Sequence, residues 1–239
     1  MSSNEMPVWD LSEYYKGIDD KNIDKDISKY QALAKEFNQK YKGRVKDLTI
    51  DEFGIALKEL EDLSNIGHKL AGFSHLNYVT NMLDEKASAL NTKIEEQLTN
   101  AGMNLVFWSL EYNKLSDKKQ KELIKNLGDY APYLKRMGKY KKYELSEEVE
   151  QTLLAKDITS GSAWVRFYEE NMARLEYEVD GKKYNDAEIS KLATSKDEET
   201  RLKAGYEINK VTKEDIINLG KKIKINRQFI LKGVNDEED

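Results

Sequence analysis

The sequence predicts a mainly α protein, a multi-helix bundle lobe with one short β-hairpin, and three observations carry that prediction. Only Pro7 and Pro132 interrupt the backbone of 239 residues, so long helices can form unbroken. Apolar residues recur at steps of three and four through most of the chain, which is the period of one helix face. A small polar residue is followed three places later by glutamate at Thr49-Glu52, Asn185-Glu188 and Ser195-Glu198, the pattern of a capping box that opens a helix.

From Ile23 the first stripe runs through Ile27, Tyr30, Leu33, Phe37 and Tyr41, and Gly43 ends it. Thr49 opens a second helix, whose stripe is Phe53, Leu57, Leu60, Leu63 or Ser64, continuing toward Leu70 and Phe73. A short link that turns back would set the two antiparallel. Asp84 is suited to cap a third helix. Ala87, Leu90, Ile94, Leu98, Ala101, Leu105 and then Trp108 or Tyr112 would face inward over about seven turns, the longest helix of this half. Ser116 and the Gly128-Asp-Tyr-Ala-Pro132 break bracket a shorter helix, and Ser146 begins another with Glu147 and Glu148 in its first turn, where the helix dipole favours acids.

The departure from helix is residues 174–184. Leu175, Tyr177 and Val179 alternate into Asp180-Gly181, which is a hairpin signal. Asn185 and Ser195 then open two more helices, the second running through Leu202, Tyr206, Ile208 or Asn209, Ile216, Leu219 and Ile223. The acidic end, Val234 to Asp239, is expected to fray. No repeat or Gly/Ser/Pro-rich linker forces a domain boundary. The softest place lies at 129–146, which divides the chain into a long-helix bundle at 1–130 and a helical segment with the hairpin at 131–239, packed as one continuous lobe.

Composition narrows the function. The chain carries 39 Lys+Arg against 44 Asp+Glu, a net charge of -5, without a long basic block, so nucleic acid is not an expected partner. The absence of cysteine excludes disulfides, thiolate metal sites and cysteine nucleophiles, and fits a reducing, cytoplasmic setting. The polar, acidic start lacks the pattern of an export signal, and no apolar run approaches about 18 residues, so no membrane partner is expected. A hydrophobic content of 39%, with 10% aromatic, argues for a folded chain.

No catalytic or metal-binding residue can be assigned. His68 and His75 are the only histidines, and on one helix their Cα atoms would stand about 10.5 Å apart, too far to share a zinc ion held by bonds near 2 Å. They read as ordinary polar or half-buried residues. There is no H-E-x-x-H, G-x-G-x-x-G or P-loop. Gly161-Ser162-Ala163 is not G-x-S-x-G and lacks a preceding strand, so it reads as the start of a helix. Fourteen tyrosines and three tryptophans could in part line a peptide groove, but Trp108, Trp164 and Phe167 or Tyr168 read as core.

The segment Trp9-Asp10-Leu11-Ser-Glu-Tyr-Tyr-Lys-Gly-Ile-Asp-Asp20, with Phe37 to Gly43 after it, resembles the start of oligoendopeptidase F, a bacterial zinc metallopeptidase related to thimet oligopeptidase. Leu145-Ser-Glu-Glu148, Gly161-Ser-Ala-Trp164-Val-Arg166, the Asp180-Gly181 turn and the Ser195 to Arg201 helix start, with Ala204, follow in that family's order. The resemblance covers nearly the whole chain and marks Trp9, Asp10, Leu11, Gly161, Trp164, Asp180, Gly181 and Arg201 as structural motif residues. It implies an N-terminal helical lobe, one wall of a deep channel that admits short peptides and excludes folded proteins. In that family zinc belongs to a later H-E-x-x-H region, so the resemblance implies a truncated or split member without zinc of its own, inactive alone. Its expected partners are a separate catalytic lobe or chain and short peptides. The alternative is a helical peptide-binding or adaptor protein, or the remnant of a split gene. An apolar strip on the last helix, Ser195 to Leu231, is expected to meet the catalytic lobe, because Ile216, Ile217, Ile223, Ile225, Phe229, Ile230 and Leu231 exceed one core-facing stripe.

Overall fold

A computed structural model describes residues 10–210 together with Ile217 and Lys221. Trp9, the acidic end and the last-helix residues Ile216, Leu219, Ile223, Ile225, Phe229, Ile230 and Leu231 lie outside the described residues. Among those described, ten α-helices and one two-stranded antiparallel hairpin make a mainly α fold. No described helix is long and apolar enough to cross a membrane.

Contacts divide the chain at Asn171/Met172 instead of after residue 130. The reason lies in the core: Leu123 on one side of residue 130, and Leu134 and Met137 on the other, share one buried cluster with Phe37, Phe53, Trp108 and Tyr112. The Gly128 to Pro132 break interrupts a helix without interrupting the packing.

In the first unit, α1 (Lys21–Tyr41) starts at Asp20, whose side chain accepts from the backbone N–H of Asn22. It buries Ile23, Ile27, Ala34, Phe37 and Tyr41, and Gly43 (φ 78°) turns the chain where a side chain would be strained. After a single 3-10 turn, α2 (Ile50–Thr80) opens with a complete capping box. The backbone N–H of Glu52 donates to Thr49 Oγ1 at 3.2 Å, and that of Thr49 donates to Glu52 Oε2 at 2.8 Å. At 31 residues α2 is the longest helix described.

The third helix is shorter than the periodicity predicts. α3 (Glu85–Gly102) gives way to a 3-10 turn at Met103–Leu105, and α4 (Val106–Lys114) continues from there. The tighter turn is braced by Asn104 Nδ2, which donates to the Ala101 carbonyl at 3.1 Å. It re-aims the chain so that neighbours Phe107 and Trp108 are both buried, together with Leu110, Tyr112 and Asn113. One uninterrupted stripe could not bury adjacent positions so completely.

Next come α5 (Asp117–Asn126), capped by Ser116, and α6 (Ala131–Tyr140), which carries Pro132 in its first turn. Proline is tolerated there because that N–H has no intrahelical partner. α7 (Glu147–Asp157) starts at Ser146, and α8 (Gly161–Ala173) follows. Beside the main core, Tyr15, Ile23, Ile27, Leu70, Phe73 and Ile94 form a second cluster joining α1, α2 and α3.

The second unit contains β1 (Tyr177–Val179) and β2 (Lys182–Tyr184), paired with Tyr177 opposite Tyr184. Asp180 (φ 53°) and Gly181 (φ 76°) make the turn, both left-handed as the favoured two-residue hairpin turn requires. α9 (Asp186–Ala193) has the expected capping box from Asn185 and Glu188. α10 (Glu198–Ile208) is capped by Asp197 and not by Ser195: Asp197 Oδ2 accepts from the Thr200 N–H at 2.8 Å. A carboxylate is the stronger acceptor at a helix N-terminus. Ser195 instead lies outside the helix, its carbonyl accepting from Arg201 Nη1 at 2.8 Å. Val179, Ile189 and Ala204 form the small core of this unit.

Candidate functional site

In the first unit a cleft of about 600 Å³ opens between α2, α3 and α8. α2 contributes Ala71, Ser74, His75 and Tyr78, α3 contributes Asn91, Ile94, Glu95 and Leu98, and α8 contributes Gly161, Ser162, Val165, Arg166 and Glu169, with Asp157 at the end of α7. Ser162, Arg166 and Glu169 share one face of α8 because they stand four and three residues apart.

The first turn of α8 is shaped around Asp157. Ser162 Oγ donates to Asp157 Oδ2 at 3.3 Å. A side chain at Gly161 would place its Cβ 2.8 Å from Asp157 Oδ1, so glycine makes room for that carboxylate. Arg166 Nη1 donates to Thr92 Oγ1 at 2.9 Å and lies 3.8 Å from Glu95 Oε2. Ser74 is buried and its hydroxyl donates to Asn91 Oδ1 at 3.1 Å.

Tyr78 is different. It is 3% exposed, and its hydroxyl has no hydrogen-bond partner among the described residues. Burial pushes the phenol up, Glu170 and Glu169 add to the effect, and Arg166 opposes it. The hydroxyl therefore stays protonated and neutral around neutral pH, able both to donate and to accept. Glu169 lines the same cleft with neither a hydrogen bond nor an ion pair of its own among the described residues. Sequence reasoning passed over both residues, since Tyr78 reads as one more apolar residue of a helix and Glu169 as one acid among many.

On its other face, α8 departs from expectation. Trp164, Phe167 and Tyr168 are 66%, 55% and 63% exposed, whereas the sequence reading placed them in the core. The helix does have an apolar side, but its polar side is the one packed toward α2 and α3. Trp164 and Phe167 stack edge-on with ring centroids 6.0 Å apart, and Leu153 and Leu154 of α7 are exposed as well. Trp108, by contrast, is core at 2% exposure.

The remaining motif residues have local roles. Asp10 accepts from the Ser12 N–H at 2.8 Å, a bond that holds its carboxyl below the usual range. Leu11 packs against the second cluster of the first unit. In the second unit, Asp180 and Gly181 form the hairpin turn, Asp180 pairs with Lys203 at 2.9 Å, and Arg201 ties the Ser195 and Lys196 carbonyls to α10. His68 and His75 are both exposed on α2. No group of three or more metal-ligating side chains converges among the described residues.

A family model for oligopeptidase F matches residues 111–177, from the end of α4 through α8 to the first strand. Among solved structures, oligoendopeptidase-F from Enterococcus faecium is similar with a TM-score of 0.65 and 19% identity. The similarity covers 79% of this chain but only 37% of that one, so the chain spans little more than a third of the enzyme it matches. No curated protein sequence matches the chain. The sequence model and the fold point the same way: this chain resembles the N-terminal part of an oligoendopeptidase F-like peptidase.

Proposed function

We propose that these residues form a non-catalytic, channel-wall lobe of an oligoendopeptidase F-like zinc metalloendopeptidase that acts on short peptides. The observation that supports this most is the outward aromatic face of α8, which lies inside the segment matched by the family model. A cluster of exposed Trp, Phe and Tyr is the kind of surface that another protein surface covers. The cysteine-free composition suits work on peptides in a reducing cytoplasm.

The residues described do not fit a catalytic zinc site. Such a site needs three protein ligands around one ion, and two exposed histidines about 10.5 Å apart along a helix cannot supply them. Bound in the family's catalytic region, zinc would activate the attacking water. The part of this chain is to bind and orient the peptide. Peptide binding without catalysis is the second reading, favoured by the cleft of about 600 Å³, a size suited to small ligands.

The test mixes the purified chain with a separately produced zinc-site region of an oligoendopeptidase F and follows a quenched fluorescent peptide. Chelator-sensitive cleavage that neither part shows alone, diminished by Trp164→Ala or Phe167→Ala, is the expected result. Zinc-dependent turnover by the chain alone, retained when His68 and His75 are both replaced by Ala, would defeat the proposal. Peptide binding with no cleavage in the mixture would favour the second reading.

A further inference from the structure

We propose that the α2–α3–α8 cleft binds a primary ammonium group on an apolar stem, supplied by the free N-terminus of a short peptide. The choice of a peptide as the source rests on the lobe reading above; the cation site itself rests on the cleft.

Two acceptors in the cleft lack partners. The Tyr78 hydroxyl is enclosed and unbonded, and burying a polar group without a partner is unfavourable unless something else satisfies it. Glu169 lines the same space and makes no hydrogen bond or ion pair among the described residues, its helical neighbour Arg166 being turned to Thr92 and Glu95. An ammonium carries three donors and no acceptor, which suits a carboxylate and a phenol oxygen together.

Charge excludes the opposite ligand. Among the described residues the one Arg or Lys lining the cleft, Arg166, is already engaged by Thr92 and Glu95, so an incoming carboxylate would find no free cation among them and would meet Glu169. Asp157 adds a further negative charge to the lining, to which His75 also belongs, and both are exposed. Ile94 and Val165 line the walls, giving an aliphatic stem an apolar surface to cover. Polar groups converging beside apolar wall residues are the usual constitution of a ligand site.

The test is calorimetric titration of the full chain with an Ala/Leu tetrapeptide amide whose N-terminus is free, beside its N-acetylated twin. An acetylated peptide carrying one lysine serves as a third probe for a side-chain ammonium. The free N-terminus should bind about tenfold tighter than the acetylated form, the scale of a charge-assisted hydrogen bond. Tyr78→Phe and Glu169→Gln should each remove much of that preference while leaving the melting temperature unchanged. Tyr78→Phe deletes no hydrogen bond of the folded chain, so a loss of binding there cannot be a loss of folding.

Equal binding of the free and acetylated peptides, or preference surviving in both variants, would overturn the proposal. Capture of the lysine peptide in preference to the free N-terminus would overturn the assignment of the ammonium to a peptide terminus. Reconstituted cleavage without any N-terminal preference would sink this site and leave the lobe reading standing; preference without reconstituted cleavage would do the reverse.

Discussion

α4 and α8 each set a tryptophan among other aromatics: Phe107, Trp108 and Tyr112 in one, Trp164, Phe167 and Tyr168 in the other. The first three are 1%, 2% and 0% exposed, and the second three lie between 55% and 66%. Composition and period alone cannot separate these helices. What separates them is partners: Trp108 packs against Phe37 of α1 at 5.3 Å and Phe53 of α2 at 4.9 Å. α8 meets α3 through polar side chains instead, Arg166 reaching Thr92 and Glu95 and Glu170 accepting from the Ser88 hydroxyl. An apolar face therefore announces a contact without saying whether these residues supply it.

Substitution should expose the contrast most strongly in the core. Phe53→Ala or Trp108→Ala should cost about 3–5 kcal/mol in urea unfolding, the usual cost of emptying an aromatic core position. Trp164→Ala should stay within about 0.5 kcal/mol, as for an exposed site. Comparable losses at Trp108 and Trp164 would break the comparison.

A smaller effect tests how the buried side is held. Asp26 Oδ2 accepts from the Tyr15 hydroxyl at 2.7 Å and from Lys69 Nζ at 3.0 Å. Burial raises its pKa, but the bonds from Tyr15 and Lys69 outweigh that and leave it lowered. A carboxyl lowered on folding stabilises above its unfolded pKa, near 4, and that contribution fades as pH falls through the folded value. Asp26→Asn should thus lose about 1–2 kcal/mol at pH 7 and progressively less below about pH 4. An undiminished loss at pH 3 would show that packing, not charge, sets the cost.

The smallest effects sit at helix starts. Thr49→Ala should cost about 1 kcal/mol by removing half of a capping box. Ser195→Ala should change stability by less than about 0.5 kcal/mol, because Asp197 is the residue that caps α10. A larger loss at Ser195 than at Thr49 would reverse that assignment.

Much of the fold was legible where a signal is local and one-sided. Thr49 with Glu52 and Asn185 with Glu188 mark helix starts within four residues, and Asp180-Gly181 marks the hairpin, because each depends on its own backbone. The break after Gly102 was not legible, since Ala101, Leu105, Trp108 and Tyr112 keep helical spacing across a turn that tightens. α8 was read with the wrong face inward because its polar positions Ser162, Arg166 and Glu169 have the same period as its aromatic ones. The cleft was invisible for a related reason. Whether the Tyr78 hydroxyl finds a partner depends on what α3 and α8 place against it, and nothing adjacent to Tyr78 in sequence encodes that.

Acrylamide quenching reads whether the aromatic face of α8 is bare or covered, with the signal of a Trp164→Phe variant subtracted from that of the parent chain to isolate Trp164. A face open for a partner gives strong quenching in the free chain, and protection when an oligoendopeptidase F zinc-site region is added, in step with the appearance of peptide cleavage. A Trp164 already shielded in the free chain, or one still fully quenched in a mixture that cleaves peptide, would show that this face is not where the zinc-site region docks.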